Sequence, residues 1–146
     1  MDWLPIVAVV VLGVMVGVEA SVAFVVNPIV DRLPDNAGLL ARSDSGRMLG
    51  RAMPVWYFTS LLLSGATALL LPDGSTAAWV ASGLLILSVV ISVAVLVPIN
   101  NRSKAWTPQT AHVDWREQLA RWDAVHLLRL AVIVAAFTSL TIAVAH

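Results

Sequence analysis

Four unbroken apolar runs constrain this chain more than anything else in it: Leu4 to Val26, Met53 to Leu71, Ala77 to Val97 and Ala124 to Ala145. Each is close to the ~20 residues that a helix needs to cross about 30 Å of hydrocarbon. A sheet crossing lipid must close into a barrel and reads as alternating segments of about ten residues, so runs of this length exclude strands. The expected fold is all-α, one bundle of four transmembrane helices over residues 1–146. The helices are placed at about 4–26, 53–71, 77–97 and 113–145, the last entering the membrane near residue 124. Met1-Asp2-Trp3 lacks the positive start of a signal peptide and the first run is too long for its apolar region, so the first helix is expected to be permanent.

The chain is 59% hydrophobic and 12% charged, and only Glu19, His126 and Arg129 put ionisable groups into the runs. It has no cysteine, which removes disulfides, thiolate nucleophiles and cysteine metal sites. Nine basic and nine acidic residues leave no net charge and no basic tract to follow a phosphate backbone, so nucleic acid is not an expected partner. Membrane lipid is.

The basic residues set an orientation. Arg32, Arg42, Arg47, Arg51, Arg102, Lys104, Arg116 and Arg121 fall between the first and second runs or between the third and fourth, and Arg129 lies just inside the same end. The termini and the Pro72-Asp-Gly-Ser turn have none. The positive-inside rule then makes both long loops cytoplasmic and both termini external, in the plasma membrane. Trp3 and Trp79 mark the outer interface, whereas Trp56, Tyr57, Trp106, Trp115 and Trp122 crowd the inner one.

Local signals refine the helices. Pro28 and Pro98 discourage helix at the residues before them, so the first and third helices are expected to end there. Pro54 suits the first turn of the second helix. The Leu39-Leu40-Ala41 cluster suggests a short interfacial helix in the first loop, and Thr107-Pro108 a cap-like start leading towards the last helix. Both loop-facing exits read Pro-Ile-x-x-Arg, at Pro28 and Pro98, the trace expected of two parallel hairpin repeats. Ser60, Ser64 and Ala68 form a packing stripe, and Gly13-x-x-x-Gly17 a small-residue seam suited to a homo-oligomer because it faces away from Glu19.

The chemistry gathers at the mouth of the last helix. Trp122, His126 and Arg129 share one helical stripe, which Trp115 extends. A charge inside a bilayer costs roughly 2.5 to 3.5 kcal/mol even on the mildest scale, so Arg129 needs an anion, and Glu19 is the buried candidate at matching depth. With Asn100 and Asn101 on the third helix and Trp56 and Tyr57 on the second, every helix contributes to a polar pocket in the inner leaflet. Two readings stand beside each other: a functional pocket, and an ion pair that locks the bundle while the asparagines cap a helix. A metal would have Glu19 and His126 as its obvious ligands, with His112 distant and His146 at the far end, one or two short of a usual set.

The ordered set Gly17-Val-Glu19, Asn27-Pro28, Met53-Pro54-Val-Trp-Tyr57, Val97-Pro98-Ile-Asn100-Asn101-Arg102, then Trp115, Trp122, His126 and Arg129 resembles the anthrone-oxygenase-like family of small four-helix membrane proteins. The sharpest pieces are Pro-x-Asn-Asn at the end of the third helix and Trp-x-x-x-His-x-x-Arg at the start of the fourth. The resemblance implies an oxygenase that acts on a small aromatic, anthrone- or hydroquinone-type substrate with molecular oxygen as co-substrate; the cofactor is left unknown, with no bound cofactor and a bound metal both open. The residues suit that chemistry. An anthrone methylene is acidic because its carbanion is a delocalised phenolate, so a positioned base can generate a species that reduces oxygen. His126 is the natural base, with Glu19 fixing its tautomer or acting as the base itself, Arg129, Asn100 and Asn101 as oxyanion donors and Trp56, Tyr57, Trp115 and Trp122 as the aromatic surface. The alternative reading is a non-catalytic membrane subunit or small-molecule binding protein whose Glu19, His126 and Arg129 are structural.

Overall fold

The computed structural model describes residues 3–71 and 76–145. Residues 72–75, read as the turn between the second and third helices, and His146 lie outside the described residues. Among the described residues four helices are long and apolar enough to cross a membrane: α1 (Trp3–Val30), α2 (Ala37–Leu70), α3 (Thr76–Ser103) and α4 (Trp115–Ala145). No strand occurs among the described residues. The all-α four-helix membrane bundle expected from the hydropathy pattern is the fold observed.

The half of the bundle away from the basic loops is the tightly packed one. Small residues let the helices approach there: Ala8 of α1, Ala68 of α2, Ala78 and Ala81 of α3, and Ala136 and Ala143 of α4 are buried together with the larger Leu12, Leu85 and Leu140. The Ser60, Ser64 and Ala68 stripe is buried as expected, and the Ser64 hydroxyl meets that of Ser82 at 3.0 Å. Gly13 is covered from within, because a Cβ there would stand 2.9 Å from the Phe137 ring of α4. Of the proposed Gly13-Gly17 seam, only Gly17 opens onto free space.

The helices outrun their apolar stretches at the basic end, and the prolines do not stop them. In α1, Val22–Val26 forms a π-helical turn in which the Asn27 N–H donates to Val22 O, after which the helix continues through Pro28 to Val30. In α3, Ser92–Leu96 does the same, with the Val97 N–H donating to Ser92 O and the helix continuing through Pro98 to Ser103. A proline lacks the donor and crowds the carbonyl of the turn before it; a turn widened by one residue accommodates both. The two Pro-Ile-x-x-Arg exits therefore share one local form. Asn100 and Asn101 lie within the last turns of α3 and do not follow its end.

α2 corrects the expected start at Met53-Pro54: it begins at Ala37 and carries Pro54 inside. An interior proline costs a helix about 3 kcal/mol, so contacts elsewhere must hold the Ala37–Arg51 stretch in line. Two do. Leu39 is buried against Trp106 and Leu119, and Arg42 is buried among partners from both neighbouring helices. Thr107-Pro108 opens a turn and not a helix, the Thr107 N–H and hydroxyl both bonding Thr110 Oγ1 at 2.9 Å. The start of α4 is set instead by Asp114, whose carbonyl accepts the Gln118 N–H while its carboxylate takes the Gln118 side chain.

Candidate functional site

The residue at the centre of the site is Glu19, only 3% exposed one turn before the π turn of α1. Arg129 of α4 donates to its Oε2 at 2.6 Å, and the Tyr57 hydroxyl of α2 donates to Oε1 at 3.2 Å. Arg129 extends a second arm to Ser92 Oγ at 2.9 Å, the first residue of the π turn in α3. Four helices are thus tied at one level, between the two widened turns. Such turns recur at functional sites, because they displace a stretch of helix without breaking it.

His126, 1% exposed, lies in the same knot and has an asymmetric environment. Its Nε2 is 3.2 Å from the Glu19 main-chain oxygen, which can only accept, so Nε2 carries the hydrogen. Its Nδ1 stands 3.1 Å from Glu19 Oε2 and 3.1 Å from an Arg129 nitrogen. In the neutral ring Nδ1 accepts from Arg129; in the charged ring Nδ1–H donates to Glu19. Proton uptake by His126 is therefore confined to Nδ1, where a carboxylate is already in place to receive the new hydrogen. The Trp122 ring stacks on the imidazole with centroids 4.7 Å apart and planes inclined by 18°. The Arg129 guanidinium also lies over the Tyr57 ring, 5.2 Å from its centroid. One Arg129 atom is left over: Nε is buried and has no acceptor among the described residues. A buried orphan donor costs about 1 to 3 kcal/mol, which an oxygen atom of a ligand would offset.

The knot closes one end of a cavity of about 490 Å³. This is a furrow between α2 and α3: residues 46, 50, 54 and 57 of α2 and 89, 93, 97 and 100 of α3 line it at helical spacing, and Glu19, Trp122, His126 and Arg129 complete its head.

Not every residue expected at the site is in it. Glu19, Tyr57, Trp122, His126 and Arg129 come together as their spacing suggests. Asn100 lines the furrow but acts between helices: its amide donates to Gly46 O at 3.1 Å, and it sits so close over α2 that a Cβ on Gly46 would be 2.6 Å, and one on Gly50 2.9 Å, from its side chain. Asn101 lies at the exposed margin, accepting from Lys104 Nζ at 2.8 Å. Trp56 is turned to α1, its indole donating to Val11 O at 3.1 Å, and Trp115 packs with the Leu39, Trp106 and Leu119 group under Arg116. Neither tryptophan lines the furrow. His112 is outside the cluster, bonded to Asp114. Among the described residues no three His, Asp or Glu gather as a metal set. Glu19 and His126 share their space with a guanidinium, a poor neighbour for a cation.

Two features escaped sequence reasoning. Buried Arg42 is a bidentate partner of Asp31, at 2.9 Å on both arms, and bonds both oxygens of Asp123, which also takes the Asn27 amide at 2.8 Å. This second ionic knot joins α1, α2 and α4 at the basic end. Asp123, an acid immediately before the last apolar run, is the one local sign of it. The other is Gly46-x-x-x-Gly50, a close-approach spacing as clear as Gly13-x-x-x-Gly17 but outside the apolar runs.

Comparison with curated proteins and with solved structures finds no match. The model of the family described as anthrone oxygenase matches residues 47–139, well over half of the chain, taking in Tyr57, the Pro98 to Asn101 exit, Trp122, His126 and Arg129 and leaving Glu19 outside. By that match the chain belongs to the anthrone oxygenase family.

Proposed function

We propose that this protein is a membrane-embedded oxygenase that takes a flat aromatic substrate of the anthrone or hydroquinone type from the cytoplasmic leaflet and oxidises it with molecular oxygen. Membership of the family supports the reaction class. The observation that carries the reading is His126 Nδ1, set between a carboxylate and a guanidinium at the head of a cavity large enough for a small aromatic molecule.

In this reading Nδ1 removes a proton from the acidic carbon, and the new Nδ1–H turns to Glu19 Oε2. General-base catalysis of this kind typically supplies roughly 10²- to 10⁴-fold. The developing oxyanion lies against Arg129, whose Nε–H has no other acceptor and whose NH1 is held by Ser92. Trp122 fixes the plane of the imidazole and offers an aromatic edge to the ring. The carbanion then reduces oxygen: an anthrone and O₂ become an anthraquinone and water. The methylene carbon loses four electrons, one oxygen atom ends in the new carbonyl and the other in water, and no further reductant is needed.

A non-catalytic reading is favoured by one observation, that both Glu19 carboxylate oxygens already have partners within the chain. Oxygen uptake by the purified protein with an anthrone, measured against spontaneous oxidation and alongside metal analysis of the same sample, separates the two. His126→Ala and His126→Gln are expected to lower turnover by roughly 10²- to 10⁴-fold, and His112→Ala to leave it unchanged. Folded His126 variants with full turnover would remove the base assignment. No uptake above background would favour the structural role.

A further inference from the structure

The furrow carries charge that the chemistry at its head does not use. Five cationic residues line it: Arg42, Arg47, Arg51, Lys104 and Arg129. Arg129 is paired with Glu19, Arg42 with Asp31 and Asp123, and Arg47 with Asp44. Arg51 is exposed and has no ion pair or side-chain hydrogen bond among the described residues, and Lys104 bonds only the neutral amide of Asn101. Among the described residues Glu19, already neutralised, is the one acidic residue in the lining. The remaining charge of the furrow is therefore positive and sits away from His126.

Two further facts say how a ligand would lie. At the basic end the furrow is bridged, by Asn100 to Gly46 and by Arg47 to the Lys104 carbonyl at 2.8 Å. Along its side it is open: Phe58 of α2 and Val93 of α3 line it while being 59% and 63% exposed, and both belong to membrane spans. Entry is thus sideways, from the bilayer, between two apolar lips. On α2, Arg51 precedes Tyr57 by about 9 Å of helix rise, comparable to the length of a fused-ring ligand.

We infer that the ligand of this furrow is an anionic amphiphile, a fused-ring aromatic bearing a carboxylate or an ionised phenol, whose ring reaches His126 and Tyr57 while its anion rests on Arg51 with Lys104 behind it. This rests on the oxygenase reading for the identity of the ring. A guanidinium at the hydrocarbon boundary is free to form a charge-assisted bond with such an anion without giving up one inside the protein. The same chemistry is offered by the phosphate of an acidic lipid, so the test must tell the two apart.

The test is binding, so that it does not depend on turnover. Anthraquinone-2-carboxylate and its methyl ester, products that cannot be oxidised at the ring, are titrated into the protein in phosphatidylcholine nanodiscs, reading quenching of tryptophan fluorescence. The acid is expected to bind on the order of tenfold more tightly relative to the ester in the wild type than in Arg51→Gln/Lys104→Gln, where the two bind alike. Arg116→Gln, outside the furrow, should keep the wild-type ratio. A ratio that does not change in the double variant overturns the inference. So does a ratio that vanishes in discs rich in phosphatidylglycerol, which would give Arg51 to lipid headgroups. If the ratio is confirmed but no anthrone consumes oxygen, the oxygenase reading fails and the anionic site remains; if a neutral anthrone is oxidised and the ratio is flat, the reverse holds.

Discussion

Glu19 and Arg129 are each costly where they stand, and tolerable only together. Removing one partner of a buried pair typically costs about 3 to 5 kcal/mol because the other charge is left without compensation, while replacing both by apolar residues is often close to neutral. Glu19→Gln is therefore expected to lower the thermal midpoint in detergent markedly, and Glu19→Leu combined with Arg129→Met to recover most of the loss. Equal midpoints for wild type and Glu19→Gln would mean that the pair does not hold the bundle. The same residues separate stability from chemistry: the double variant should fold and yet oxidise nothing. That division was half legible in the sequence. A lone acid and a lone arginine at matched depth imply a pair, but nothing in the order of residues says that His126 Nδ1 would stand at 3.1 Å from both.

The joint between α2 and α3 is a contact of an amide with a glycine pair. A Cβ on Gly46 would fall 2.6 Å from Asn100 Oδ1, so Gly46→Ala must displace Asn100 or part the helices. Overpacking of this sort costs about 1 to 3 kcal/mol. Asn100→Ala in the same chain should relieve much of it, a coupling that thermal unfolding of the two single variants and the double variant would reveal; strictly additive losses would mean that the two residues do not meet. The start of α4 has its own signature. The Asp114 carboxyl is held below the usual carboxylate range, first by the Gln118 amide and then by the His112 ring. A depressed folded value stabilises above the unfolded value of about 3.9 and is lost as pH falls through the folded one. The first turn of α4 should therefore fray only on the acid side of about pH 4, seen as amide protection lost there relative to the intrinsic exchange rate, and Asp114→Asn should abolish that dependence. Pro54 shows why α2 was only partly legible: its local rule was sound, and Leu39 and Arg42, bound to residues far away in the chain, overrode it.

For the whole molecule, sidedness is the expectation that most needs an experiment. Cysteines at Val113, which is 94% exposed between α3 and α4, and at exposed Thr76 at the opposite end, should react with impermeant reagents from the cytoplasmic and external sides respectively. The reverse pattern would move the furrow to the outer leaflet. The sequence alone determined the number of spans, the concentration of positive charge at one end and the stripe that joins Trp122, His126 and Arg129, because hydropathy, charge and helical periodicity are properties of neighbouring residues. Only the tertiary structure decided which of these meet. Helices run through Pro28, Pro54 and Pro98, Asn100 becomes a clamp, Trp56 and Trp115 turn away from the furrow, and Arg42 finds Asp31 and Asp123. The passages through Pro28 and Pro98 rest on the widened turns before them, whereas the side-chain meetings depend on the rotation of one helix against another, set by packing between segments up to 110 positions apart, which no local pattern records.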